Sequence, residues 1–447
     1  MLEPTPAAVK TTRTNPATGS RRRDPHCPAM DNLAHALAGA LIARSLPRRW
    51  AGGVPEEDPA FDPDRPRPGI WLTWSGVIAA NLPDFEALVL WPPPLGDKAA
   101  YLLHHRGWSH SLIGIAAEAV AFTALLWLLA RWRRTARWFA GFTPRRGLAV
   151  AALGVGSHLF MDWWNSYGVR PFYPWDRSWY YGDLVFIVDP WVWLILAGAL
   201  ICGTRRFGWT KWGWYALAAA ATLIVAGACW QEQCPWWVLA AWATGVVEVG
   251  LLRWWGRWRF ADLFGWGTLT AYLVTMGLWS QAAREAVTRE TIDPHYMNRI
   301  HSIAKQSVQA VPGVPWDREV LNSHGRRGRN KPVGLLAAGD RRFDFDGASL
   351  IRVNAITGDR GPLHLWDAGW PHNQARIRPK GLRRVEAWAA FARHPVAQFR
   401  GSKVILGDVR YGAGGEEDWS ALEVEYDILP IWESAPRPLE NSVPPMN

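Results

Sequence analysis

The chain has 447 residues, a formal net charge of +10 at pH 7, 49% hydrophobic residues and 32 tryptophans. Four cysteines with no Cys-x-x-Cys pair exclude a disulfide framework. The basic excess does not read as nucleic-acid binding, because Lys and Arg collect in short loops between apolar runs and not in a module of their own.

Residues 1–29 are rich in Thr, Pro and Arg and lack an apolar h-region, so they are not a signal peptide. They are expected to be a disordered extension, or to precede a true start at Met30. From Met30 the pattern changes at once to "DNLAHALAGALIAR", an amphipathic helix. Apolar runs then recur at 33–46, 70–91, 112–130, 148–167, 187–203, 213–230, 235–252 and 265–282. Several approach the roughly 20 residues that cross a bilayer. The clearest is "LIGIAAEAVAFTALLWLLA", although it carries Glu118. Run 33–46 is short, and reads as re-entrant or packed against the others. The abundance of Trp suits membrane interfaces, where an apolar ring carries a wet N–H.

Loop charge sets the orientation. Segments 131–146, 204–211 and 253–260 are strongly basic and fall on alternate connections, which places them in the cytoplasm together with 47–69. The tail after about 283 then lies outside. Arg21 to Arg23 break the rule unless the extension is absent or the first run does not cross. Cys229 and Cys234 flank the turn "WQEQ". They read either as small helix-end residues or, if that turn faces an oxidising compartment, as a disulfide.

Beyond 283 the composition shifts. Residues 284–335 read as linker or irregular structure, rich in Gly, Pro, Arg and Asn. Residues 336–447 hold strand-like stretches such as "SLIRVNAI", "SKVILGDVRY" and "SALEVEYDIL". The expected fold class is mainly α: a polytopic membrane helical bundle over 30–283 with a small C-terminal β-rich soluble domain.

Ionisable residues inside apolar runs are costly, and default to a functional reading once a partner can be named. Four places stand out. His35 sits in "DNLAHALAGAL", where a satisfied core histidine is the commoner outcome. Asp84 and Glu86 follow Pro83 in "NLPDFEALVLW", where Asp84 could face a metal or cap a helix. His105 and His110 bracket "RGWS"; Gly107 suits a bend, Ser109 a helix cap and Trp108 an interface anchor. His158 and Asp162 in "GSHLFMDWWNSYG" are four residues apart on one helix face, so both can bind one ion; a metal-free His–Asp hydrogen bond is the alternative. With the charge-derived orientation, all of these fall near the outer face.

The motifs "NLAHALAGALIAR", "NLPDFE", "HRGWSHSL" and "SHLFMDWWNSYGVRPFYPW" occur in an order that resembles the YdjM/YbcI family of inner-membrane proteins regarded as metal-dependent hydrolases. Weaker similarity extends to "YGDLVFIVDPW" and "FARHPVAQF". The resemblance implies His35, Asp84, His105, His110, His158 and Asp162 as metal ligands, with Glu86 where many members have Asp. His104 stays outside the ligand set. The implied cofactor is a divalent metal, Zn²⁺ first, as one or two ions.

The resulting expectation is a multi-pass inner-membrane hydrolase with its site and C-terminal domain on the periplasmic side, acting on a phosphoester or lipid-linked substrate. Arg106 would steady a substrate oxygen, and Glu86 or Asp189 would serve as general base or orient a ligand. Two alternatives stand beside it: a transporter or ion-handling protein with a buried His/Asp site, and a non-catalytic assembly protein.

Overall fold

The computed structural model describes residues 31–429, except 48–49, 51–69, 88–100, 103, 205–209, 232–233, 257–259, 290–301, 312 and most of the loops joining strands beyond 325. The expectation for 1–29 lies outside the described residues.

The N-terminal half is a helical assembly of α1 (Asn32–Ser45), α2 (Ile70–Ala79), α3 (Leu112–Arg131), α4 (Pro144–Trp163), α5 (Pro190–Gly203), α6 (Thr210–Trp230), α7 (Trp236–Trp255) and α8 (Ala261–Arg289). Polar caps start several of these helices. The Asp31 carboxylate accepts from Ala34 N ahead of α1. Ser111 accepts from Gly114 N ahead of α3, so the cap there is Ser111 and not Ser109. Asp189 accepts from the N–H groups of Trp191 and Val192 ahead of α5.

Among the described residues, two helices are long and apolar enough to cross a membrane, α3 and the stretch Lys211–Trp230 of α6. α4 and α7 match them in length but carry His158 and Asp162, or Glu248, within the run. α5 is apolar but has only 14 residues. The helices leave many large apolar side chains on the surface, among them Leu125 and Leu128 of α3, Leu223 of α6, Leu251 of α7 and Leu263 of α8.

The helices also sort charge to one end. Arg44 ends α1, Arg131 ends α3, Arg145 and Arg146 begin α4, Lys211 begins α6 and Arg253 ends α7. Arg44 joins three of these ends, donating to the carbonyls of Ala199 and Leu200 at the end of α5 and pairing with Asp262 at the start of α8. The candidate site lies at the opposite end.

The C-terminal part builds two sheets. One runs in the order β1-β2-β5-β6 and is antiparallel, from β1 (Ser302–Val311), β2 (Val314–Gly325), β5 (Ala348–Asn354) and β6 (Arg360–Trp366). The other has the order β4-β3-β7-β10-β9-β8, from β3 (Leu335–Ala338), β4 (Arg341–Asp344), β7 (Arg376–Pro379), β8 (Pro395–Arg400), β9 (Lys403–Asp408) and β10 (Leu422–Leu429). Helix α9 (Leu382–Phe391) accompanies the second sheet. The long β1–β2 hairpin falls inside 284–335, where the sequence reads as irregular. Its alternation is masked by the Gly, Pro and Arg around it, and its pairing partner β5 lies outside the segment.

The two halves are packed, not merely tethered. Trp388, Phe391 and Leu406 share a core with Leu102 and Tyr167 of the helical half. Arg318 of β2, fully buried, donates to the carbonyls of Leu184 and Met276.

Candidate metal centre

Three chain segments converge at the end of α4. The 3-10 turn Leu82–Glu86, started by Pro83, turns Asp84 inward. The loop before α3 brings His110, and one face of α4 brings His158 and Asp162. One ligand atom from each of Asp84, His110, His158 and Asp162 lies within 4.8 Å of all the others. The Nε2 atoms of His110 and His158 are 3.1 Å apart. Each is 3.3 Å from Asp84 Oδ1. From Asp162 Oδ2 they are 3.1 and 3.3 Å. All four residues are 0–4% exposed.

The donor set fits a divalent ion. Ligand atoms about 2.0–2.2 Å from a tetrahedral zinc lie roughly 3.3–3.6 Å from one another, close to these separations. His158 Nδ1 is 2.7 Å from the carbonyl of Ala80, which can only accept, so with a metal bound the ring would keep its Nδ1 proton and turn its Nε2 lone pair to the centre. Asp162 Oδ2 is buried and makes no well-aligned hydrogen bond, although two imidazole nitrogens flank it. Burial opposes ionisation of Asp84, but His158 and His110 outweigh it and hold the carboxyl well below its ordinary range. Burial likewise opposes a charged His110, and the carboxylates of Asp162 and Asp84 reverse that. The centre is therefore built to hold positive charge.

The other predicted residues surround these four. His35 stacks on His158 with ring centroids 3.9 Å apart, and its Nε2 is 3.5 Å from Asp162 Oδ1. His105 lies beside them, with Nδ1 3.1 Å from Glu86 Oε1. Its buried Nε2, like Nδ1 of His35, has no hydrogen-bond partner among the described residues. Glu86 also accepts from the backbone N–H of Arg106 and so braces the histidine loop. Arg106 is buried and committed: Nη2 donates to Asp162 Oδ1 at 2.7 Å and Nη1 to Gly168 O at 2.9 Å. Asp189 caps α5 and accepts from Tyr272 OH. His104 is exposed.

The bend in the loop falls on Arg106 (φ 56°), not on Gly107. Gly107 is needed for a different reason, since an added Cβ would lie 2.7 Å from His104 O.

Beside the centre lies a cavity of about 30 Å³, lined by Asp31, His35, Asp162, Asn165 and Asp189 among others. Asp31 and Arg170 are absent from the sequence-based candidates. Asp31 was masked by its capping role, although Asp-x-x-x-His places it one turn from His35. Arg170 donates to the carbonyls of His105 and Arg106, a backbone contact that no spacing rule reveals.

The described residues form a mainly helical assembly with two helices long and apolar enough to cross a membrane and a buried His/Asp group that could hold a metal ion. Residues 30–234 match the family model described as YdjM inner membrane protein. Among curated proteins, the chain is 23% identical over 169 residues to "Uncharacterized protein YfhP" of Bacillus subtilis (strain 168). That match covers 37% of this chain and 43% of the relative's length. No solved structure matches the chain.

Proposed function

We propose that this protein is a multi-pass inner-membrane metal-dependent hydrolase, with Asp84, His110, His158 and Asp162 as ligands and a phosphoester or lipid-linked compound as substrate. The convergence of those four buried side chains carries the reading. Zn²⁺ suits the two-imidazole, two-carboxylate set, and when bound such an ion supplies Lewis acidity and acidifies a water.

The chain's own residues then have separable tasks. Arg106 neutralises and orients Asp162, so its role is to position a ligand and not to grip substrate. Glu86 holds His105 and the loop that carries His110. His35 and His105 keep unpartnered ring nitrogens at the margin, available to a substrate oxygen or a second ion. Burial raises the Asp189 carboxyl to about 6, so it can hold or release a proton at the cavity wall near neutral pH. The Arg-rich helix ends support an orientation with the site and the C-terminal domain outside. Exposed Trp230 and Trp236 near the site end, with Trp254 and Trp255 at the other, support multiple spans through two aromatic belts.

One observation favours a second reading. The four side chains are buried and the adjoining cavity, about 30 Å³, has room for only a few waters, which also suits an ion held for transport or for structure.

Detergent-purified protein analysed for metals should carry stoichiometric zinc that His158→Ala removes. Chelator-sensitive cleavage of a phosphodiester or phospholipid would support the hydrolase. Bound metal without cleavage of any ester would favour the second reading. Metal-free protein whose folding is indifferent to His158→Ala would overturn both.

A further inference from the structure

Cys229 stands in the last turn of α6 and Cys234 just ahead of α7. Their Sγ atoms are 3.0 Å apart, inside the contact distance of two sulfurs, and the residues are 2% and 6% exposed. The turn thus holds two thiols together without any demand on the helices. It lies at the same end as the candidate centre and away from the Arg-rich ends. Trp230 and Trp236 flank it, with ring centroids 6.5 Å apart. Cys202, by contrast, ends α5 at the Arg-rich end, with no second cysteine beside it among the described residues.

We propose that Cys229 and Cys234 are a modification site, joined in the mature protein by a disulfide that closes the α6–α7 hairpin on the outer face. This rests on the orientation given above, because structural disulfides persist in oxidising compartments. Two S–H bonds break and one S–S bond forms. The two electrons and two protons pass to a disulfide-bearing thiol oxidase of that compartment, which leaves as its dithiol. Burial pushes the Cys234 thiol up to about 12, so the folded chain holds little Cys234 thiolate. Exchange therefore belongs to the period before the turn is buried, and the finished bond is shielded from reductants. The hairpin it closes already carries one cross-link, from Trp242 Nε1 to Thr222 Oγ1 at 2.9 Å.

The test uses the full-length chain. Membranes are quenched in acid, denatured and alkylated with N-ethylmaleimide before and after reduction. Reduction should uncover a pair of alkylation sites that map to Cys229 and Cys234, and the pair should vanish in Cys229→Ser/Cys234→Ser. In parallel, Ser402→Cys, in the exposed turn after β8, is treated on intact cells with a membrane-impermeant maleimide and compared with the parent chain. Labelled Cys variant and masked thiols support the proposal. A labelled variant with both native thiols free overturns the disulfide and leaves the orientation standing. An unlabelled variant with free thiols overturns the orientation, and the disulfide with it.

Discussion

Two carboxylates at the cavity wall show how much a single residue's surroundings decide. Asp31 is held by Ala34 N and by Trp193 Nε1, and Asp189 stands close by. Burial, reinforced by that neighbour, raises Asp31 to about 7, and burial raises Asp189 to about 6. Both folded values exceed the ordinary carboxylate value of 3.8. The stabilisation they represent is therefore complete below about pH 4 and is lost as pH rises through 6 and 7. Thermal melts of the purified protein should show stability falling between about pH 4 and 7, by on the order of several kcal/mol. Asp31→Asn keeps the helix cap and should flatten that limb; an unchanged pH profile would contradict the assignment. Arg106 teaches the complementary lesson. Its place in "HRGWSH" suggests a clamp for a substrate oxygen, yet its charge is spent on Asp162 inside the fold.

Small residues let the site-bearing helices approach closely. A Cβ on Gly39 of α1 would sit 2.2 Å from Gly76 O of α2, and a Cβ on Gly154 of α4 would sit 2.6 Å from the Cβ of Ala79. α2 thus packs backbone-close against both neighbours, and Ala80, directly after it, offers the carbonyl that orients His158. Gly39→Leu should force α1 and α2 apart, cost at least about 2 kcal/mol and reduce bound metal. Gly156→Ala, on α4 with open space around it, should leave both unchanged. Equal metal content in the two variants would show that this contact does not support the centre.

Across the whole molecule, the C-terminal part braces the loop that follows α4. Arg393 holds both oxygens of buried Asp183 at 2.8 and 2.9 Å and lies over the Tyr181 ring. Arg410, paired with Asp408, donates to Ser166 O. Trp179 Nε1 donates to Ala390 O. The same loop supplies Gly168 O to Arg106, so the brace reaches the centre through one guanidinium. Arg393→Ala leaves Asp183 with the half-exposed Arg284 as its charge partner among the described residues. It should destabilise by about 3 kcal/mol and speed metal loss to a chelator, with Arg393→Lys recovering part of both. A chelation rate equal to that of the parent chain would show that the two halves are independent.

Much of this was legible in the chain itself. Helix positions follow from the apolar runs, because burial or lipid contact demands them. His158 and Asp162 share a face because helical geometry puts residues four apart together. Asp84 and His110 read as misplaced polar groups. Run length alone did not decide which helices are long and apolar enough to span, since the polar residues that build the centre also lower the hydropathy of α4. Nor could spacing separate the four converging ligands from His35 and His105 at the margin, or assign Arg106 to Asp162. Those choices rest on contacts between residues dozens of positions apart: 78 from Ala80 to His158 and 56 from Arg106 to Asp162. The linear pattern determined which side chains must be sheltered from water or lipid. Only the packing of α1, α2 and α4 against the histidine loop decided which of them face one another.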